Sequence, residues 1–163
     1  MEEPCLMLKN AITSDDQQQQ DYTFVRHILE SYQFPVDEAL TPKQETALMI
    51  ACYQSKLSII NLLLKHGADP NIVDADGNSA VIHCLKSLKS TTLDALRLLA
   101  ENKAVLVYVN YFGHKPKDYI EAYRAKNPEE YEDLVEGYDE LTSRYYYKVC
   151  LLHAFQVTNV ALL

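Results

Sequence analysis

Apolar and polar residues follow a helical period in short segments, and these segments recur along the chain. Segment 46–51 (TALMIA) returns 33 residues later as segment 79–84 (SAVIHC), and a turn-like stretch precedes each copy. A further short helix, 115–120, follows a turn at 110–113 that lies 36 residues after the turn at 74–77. A fixed period of this size is the signature of a stacked repeat architecture. The pattern therefore predicts an array of repeated helical units.

Longer apolar helices are predicted between the short ones, at 57–66 and 92–101. The first should end at Gly67, which adopts the left-handed conformation that other residues resist. Asn127 is expected to cap a later helix that begins at Pro128, since proline is tolerated at the first helical position. One short and one long helix together form each predicted unit.

Both ends of the chain depart from the repeat. Segments 5–14 and 22–32 predict a degenerate first helix pair, and the polar run 15–20 between them is interpreted as a loose loop. Residues 138–163 predict a terminal helix that covers the open face of the last unit. We therefore predict a single domain of about four helix pairs and a C-terminal capping helix. The expected divisions are 1–40, 41–73, 74–109, 110–137 and 138–163.

The composition is that of an ordinary folded domain, with 48% hydrophobic and 23% charged residues. The formal net charge of −8 has the wrong sign for neutralising phosphates, so we do not expect nucleic acid as a partner. The N-terminus shows no signal peptide, and the apolar segment 149–155 is shorter than the ~20 residues that span a bilayer. We expect a packed core segment there, no membrane partner, and a cytoplasmic or nuclear location.

Residues that would carry catalysis or bind a metal do not stand in the required patterns. No two of the four glycines are spaced for a phosphate-binding loop, and the histidines and cysteines lack zinc-ligand spacing. The acidic pairs 129–130 and 132–133 lack the alternating ligands and central glycine of a calcium loop. We therefore expect no cofactor, metal, small-molecule substrate or catalytic site. The cysteines are expected to be reduced thiols, buried as free cysteines usually are: Cys5, Cys52, Cys84 and Cys150.

Segment 61–71 (NLLLKHGADPN), together with 46–48 and 74–77, resembles the ankyrin repeat almost residue for residue. Gln44 replaces the family's turn glycine, Met49 replaces its usual histidine, and 103–109 replaces its Gly-Ala-Asp-x-Asn turn. The resemblance implies an all-α solenoid whose helix pairs are joined by short β-hairpin-like loops. It also implies that His83 ties one hairpin to its neighbour through hydrogen bonds.

Partner binding is expected at the hairpin tips and on the exposed side of the short helices, as the resemblance implies. Aromatic residues there should contribute most, because they supply a large contact area at low entropic cost. The alternative that Tyr111 and Phe112 pack on the adjacent hairpin stays open. The candidate partner-binding residues are Lys43, Glu45, Tyr53, Gln54, Asp76, Asn78, Lys86, Tyr111, Phe112, His114 and Tyr123.

These features favour a non-catalytic adaptor or regulatory subunit that binds a larger protein. The size, repeat number and glutamine run are also similar to those of a small ankyrin subunit of an embryonic cell-cycle kinase complex, which implies a Ser/Thr kinase as partner. One alternative is an ankyrin inhibitor that masks a transcription factor, since an acidic surface suits a basic target. Another is a self-assembling structural protein. An enzyme whose catalytic residues come together from distant positions is a further hypothesis.

Overall fold

The computed structural model describes the backbone of residues 4–14, 18–32, 34–126 and 131–160, and their side chains except those of 18–20 and 147–160. Eight α-helices and no β-strand form within this described part. Isolated antiparallel bridges join Ala39 to Thr46 and Val73 to Ser79. The predicted all-α array of helix pairs is confirmed. The helices are α1 Pro4–Thr13, α2 Gln18–Ser31, α3 Ala47–Gln54, α4 Leu57–Lys65, α5 Ala80–Ser87, α6 Thr92–Glu101, α7 Pro116–Arg124 and α8 Glu132–Val160.

The helices pack in two rows. Odd-numbered helices contact one another in the order α1, α3, α5, α7, and even-numbered helices form the second row, α2, α4, α6, α8. The apolar core lies between the rows, and it includes fully buried Leu48, Ile60 and Leu96. Burying one such side chain contributes about 1.5–3 kcal/mol to folding. Each unit therefore depends on its neighbours for most of its core, as expected of stacked repeats.

Helix α3 is buried over most of its length. Thr46 caps its N-terminus, and the Thr46 hydroxyl oxygen accepts a 3.4 Å hydrogen bond from the Met49 N–H. Six consecutive residues, 47–52, are buried, because α1, α4 and α5 surround the helix. The helix ends at Ser55, which is left-handed with a φ of 59°.

The predicted end of the first long apolar helix, which is α4, is confirmed. Gly67 has a φ of 88°, and the Ala68 N–H returns to the Leu63 carbonyl at 3.1 Å. Lys103 holds the matching place after α6 with a φ of 68°, and the Ala104 N–H bonds to the Leu99 carbonyl at 3.0 Å. The turn at 103–109 thus keeps the local geometry of its predecessor without the glycine.

The interpretation of the glutamine run as a loop is wrong for Gln18–Gln20, which form the first turn of α2. Glutamine is among the better helix formers, and Asp21 in the same turn suits the positive helix end. Asp21 also pairs with Lys56 Nζ at 2.8 Å, which anchors α2 to the following unit. Residues 15–17 lie outside the described part.

The last long helix and the predicted cap form one helix, α8, which runs across the expected division between 137 and 138. Gly137 does not end a helix but lies inside α8, where an added Cβ would be 2.6 Å from Leu93 Cδ2. The missing side chain therefore lets α8 approach α6 closely. The predicted cap Asn127 and start Pro128 lie outside the described residues. The side chains of the expected core segment 149–155 also lie outside the described residues, although the backbone of this segment belongs to α8.

Candidate protein-binding surface

The hairpin turns at the ends of the short helices stack directly on one another. The Ala75 N–H donates to the Lys43 carbonyl at 2.9 Å, and the Tyr111 N–H donates to the Asp76 carbonyl at 3.1 Å. Each turn contains one left-handed residue, and the φ angles are 60° at Gln44, 78° at Gly77 and 83° at Gly113. Main-chain hydrogen bonds therefore align the successive tips in a row. The turns that contain Gln44, Gly77 and Gly113 are called the first, second and third tips, and together they form the tip row.

A buried polar network supports the second and third tips from beneath. The Asp74 carboxylate accepts hydrogen bonds from the Asn78 N–H at 2.8 Å, from Asn78 Nδ2 at 3.0 Å and from the Asp76 N–H at 2.9 Å. Burial alone would raise the pKa of Asp74, but the hydrogen bonds from Asn78 and His83 outweigh it and lower the pKa. The carboxylate is therefore held in its charged form.

Asn78 does not belong to the binding surface that the sequence predicted. Asn78 is 1% exposed, and its amide group is used within the network. Asn78 Nδ2 donates to Asp74, and Asn78 Oδ1 accepts a 2.9 Å hydrogen bond from Asn110 Nδ2 in the next turn. The position at the base of the hairpin is structural, and the exposed positions are at its tip.

His83 has a different role from the one that the resemblance implied. Its Nε2 lies 2.9 Å from Asp74 Oδ2, so it ties α5 to the hairpin of its own unit. The side-chain link to the neighbouring hairpin is instead the bond between Asn78 and Asn110. Burial lowers the pKa of His83, and nearby Lys86 acts in the same direction against the favourable contact with Asp74. A neutral ring that donates through Nε2 satisfies this geometry.

Three aromatic candidates are well exposed, and two of them lie side by side on the third tip. The exposed fractions are 48% for Tyr53, 67% for Tyr111 and 68% for Phe112. A Cβ built on Gly77 would lie 2.7 Å from Cδ1 of Tyr111, so the Tyr111 ring does rest on the adjacent hairpin. The packing alternative for Tyr111 therefore holds, although two thirds of the residue stays exposed, and partner binding at Tyr111 stays a prediction.

The remaining candidates surround these aromatics at different depths. Lys43 and His114 are exposed, whereas Glu45, Gln54, Asp76, Lys86 and Tyr123 are half-buried. The Tyr123 hydroxyl donates to the Lys86 carbonyl at 3.4 Å. The Tyr123 ring also lies 6.1 Å from that of Tyr131. Tyr123 of α7 thus contacts α5 and the residue directly before α8. Phe112 is the more exposed aromatic residue.

Sequence reasoning missed a second exposed surface on the loop after α6. Val105, Val107, Tyr108 and Val109 are 47%, 57%, 38% and 41% exposed. The available signal was the apolar segment 103–109, which stands where the family has a polar turn. The departure of this segment from the repeat is visible in the sequence, whereas its exposure is a property of the fold.

Cys52 and Cys84 are free and buried, and Cys5 is free and half-buried. Burial raises the pKa of the Cys52 thiol, and a hydrogen bond with Cys84 adds to the effect. The expected buried thiols are confirmed for this pair, while the Cys150 side chain lies outside the described residues. Among the described residues, no group of three or more His, Cys, Asp or Glu side chains could hold a metal ion. No helix in the described part of the chain has the length and apolarity needed to cross a membrane.

Comparison with known families decides the class of protein. A family model for ankyrin repeats, described as three copies, matches residues 16–110, which is more than half of the chain. The chain belongs to the ankyrin-repeat family. Ankyrin repeats indicate a protein-protein interaction module. No curated protein matches the chain, and the likeness to a kinase subunit has no support from a relative.

Proposed function

We propose that this ankyrin-repeat protein is a non-catalytic adaptor or regulatory subunit that binds a larger protein along its tip row. The observation that carries the proposal is the exposure of Tyr111 and Phe112, 67% and 68%, on a hairpin supported by buried hydrogen bonds. Large aromatic side chains on a fixed support are typical of binding hot spots. The tip row therefore offers an anchor for a partner protein.

The third tip is ordered before any partner arrives. Asn110 Oδ1 accepts hydrogen bonds from the Phe112 N–H at 3.1 Å and from the His114 N–H at 2.9 Å. The Tyr111 N–H is bonded to the second hairpin. Because ordering a loop on binding costs free energy, a preformed tip retains more of its contact energy as affinity.

Charged residues of both signs lie in the two units that precede the aromatic residues of the third tip. Exposed Lys43 and half-buried Lys86 lie in the same units as Glu45 and Asp76. Mixed charges at the edge of an interface orient the partner and reject wrong ones, while apolar anchors supply the affinity. This arrangement favours a specific protein partner over a general basic surface.

A Ser/Thr protein kinase complex in the cytoplasm or nucleus is the regulated partner in this proposal. It is supported by the length of the chain, its repeat number and its glutamine run. The second candidate is masking of a basic DNA-binding protein, which is favoured by the net charge of −8. The two candidates require the same surface but predict different captured proteins.

Affinity purification followed by mass spectrometry tests both parts of the proposal. We expect one dominant partner with the wild-type chain, and its loss when Tyr53, Tyr111 and Phe112 are all changed to Ala. The matched control changes Phe24 and Tyr32 to Ala, since these aromatics are 42% and 52% exposed at α2 and directly after it. Thermal melts of both variants establish that folding is retained.

Recovery of a kinase supports the regulatory subunit, and recovery of a basic transcription factor supports the second candidate. Unchanged recovery with the triple variant would remove the tip row as the binding site. Loss of the partner with the control variant as well would also remove the tip row as the binding site.

A further inference from the structure

A cavity of about 480 Å³ lies between the loop after α6 and the middle of α8. Val107 and Tyr146 line it and are 57% and 68% exposed. Its other apolar walls include Ala104, Val105 and Leu106. The cavity and these side chains are called the end patch below. Exposed apolar surface that is contiguous is one of the features that mark interaction sites.

The stacking of the outer turns explains why this surface is open. Asp37 accepts a hydrogen bond from the Asp69 N–H at 3.0 Å, so the turn after α4 lies on the segment after α2. Asn71 bonds in turn to the Lys103 carbonyl at 3.1 Å and to the Val105 N–H at 2.8 Å. Each outer turn is thus covered by the turn of the next unit.

The turn after α6 is the last of this series in the described part of the chain. Tyr138 of α8 donates a hydrogen bond to the Leu106 carbonyl and covers Leu106, which is 5% exposed. The flanking residues Val105 and Val107 keep 47% and 57% of their surface exposed. Within the described part of the chain, no further turn covers this apolar face.

The charges at the end patch indicate what could cover it. Glu101 and Lys103 both line the cavity, both are exposed, and they are its charged lining residues. A two-fold axis brings residue i of one copy against residue j of the other, and j against i. If Glu101 of one copy lies opposite Lys103 of the other, the symmetry forms this ion pair twice.

The patch combines an exposed apolar side chain, Val107, with the apolar cavity that Val107 itself borders. The chain as a whole carries a net charge of −8 and repels its own copies, whereas the cavity lining has one acidic and one basic residue. Apolar, charge-balanced surfaces are typical of homodimer interfaces.

We propose that two copies of this chain associate through the end patch. Val107 of each copy enters the cavity of the other, and Glu101 pairs with Lys103 across the two-fold axis. The surface is distinct from the tip row, so the dimer would present two tip rows at once. This inference does not depend on the identity of the partner protein.

Sedimentation velocity on the purified full chain, over a range from low to high micromolar, tests the proposal. We expect a concentration-dependent dimer, and a dissociation constant at least about tenfold larger for Val107→Glu, which places a charge in the cavity. Leu6→Glu is the matched control because Leu6 is also 46% exposed but lies in α1. A wild-type chain that stays monomeric would overturn the proposal, as would equal dimerisation of Val107→Glu.

A charge exchange tests the pairing itself. Glu101→Lys alone and Lys103→Glu alone should each weaken the dimer, because each places like charges across the axis. The double variant Glu101→Lys with Lys103→Glu should restore it, since both pairs are re-formed with reversed sign. A double variant no tighter than the single ones would overturn the assigned arrangement. Circular dichroism melts keep a folding defect distinct from loss of association.

Discussion

Asn110 Nδ2 donates a hydrogen bond of 2.9 Å to Asn78 Oδ1, and both residues are almost completely buried. They lie 32 residues apart, at the base of neighbouring hairpins. Asn78 in turn donates to Asp74, and Asn110 accepts from the main chain of the third tip. This chain of bonds carries the geometry of one hairpin to the next, and it supports the aromatic residues above it.

Replacing Asn110 by Ala should therefore destabilise the protein by about 2–4 kcal/mol, because several buried polar groups lose their partners at about 1–3 kcal/mol each. The free energy of unfolding in urea measures the effect. Asn102→Ala is the control, since Asn102 is exposed and its side chain bonds to the Leu98 carbonyl within its own helix. A cost at Asn110 no greater than that at Asn102 would contradict the structural role.

Gly77 and Gly67 both have positive φ angles but differ in their surroundings. An added Cβ at Gly77 would lie 2.7 Å from Tyr111 Cδ1 and 2.8 Å from the Tyr111 main-chain nitrogen. At Gly67, no atom of the described residues other than those of its two chain neighbours would lie within 4 Å of the added Cβ. Gly67→Ala should cost about 1–2 kcal/mol from the left-handed backbone alone. Gly77→Ala should cost more, because it also displaces the third tip. Equal unfolding free energies for the two variants would disprove the close contact.

Gly137→Ala should destabilise the protein although alanine is the better helix former. The added Cβ would lie 2.6 Å from Leu93 Cδ2, and overpacking of this kind costs typically about 1–3 kcal/mol. In the Leu93→Ala background the same change should be neutral or stabilising, by up to about 1 kcal/mol from helix propensity. Urea denaturation of the four chains measures this coupling, and additive effects would be the contradicting result.

His83 should make the protein less stable as the pH falls below neutrality. Burial lowers its pKa in the folded state, so below the unfolded value of about 6.5 the unfolded chain binds more protons. Stability is then lost as the pH falls through about 6.5, and this loss ends below the folded pKa. The lowered pKa of Asp74 adds a second loss below about pH 4.

Unfolding free energies between pH 7 and pH 5 measure the histidine effect, whose slope is at most about 1.4 kcal/mol per pH unit. His83→Gln keeps a donor for Asp74 and removes the titrating group. Its slope should therefore be flatter than that of the wild type by this contribution. Parallel curves for the two proteins would show that His83 does not supply the pH dependence.

The sequence pattern predicted the features that depend on residues close together in the chain. The helix end at Gly67 follows from a residue that tolerates a φ of 88°, and the short helices follow from their repeated apolar segments. The loop assigned to the glutamine run was wrong for Gln18–Gln20, because a polar composition does not exclude helix when an anchored residue such as Asp21 follows.

Contacts between units could not be predicted from a single segment. Asn78 has the sequence position of a hairpin surface residue, and its burial depends on Asn110 in the next unit. The division expected between 137 and 138 falls inside α8, where the role of Gly137 depends on Leu93 of α6. The exposed residues Tyr53, Tyr111 and Phe112 agree with the expected surface, but partner binding at these residues stays a prediction.

Site-specific photo-crosslinking tests the central claim most directly. A photoreactive phenylalanine analogue placed at Phe112 lies on the tip row, and the same analogue placed at Tyr32 lies next to α2 as the control. The account predicts that the Phe112 probe forms a covalent adduct with a single protein other than this chain in cell extract. The Tyr32 probe should form no such adduct. An adduct from Tyr32 alone, or no adduct to another protein from Phe112, would contradict it.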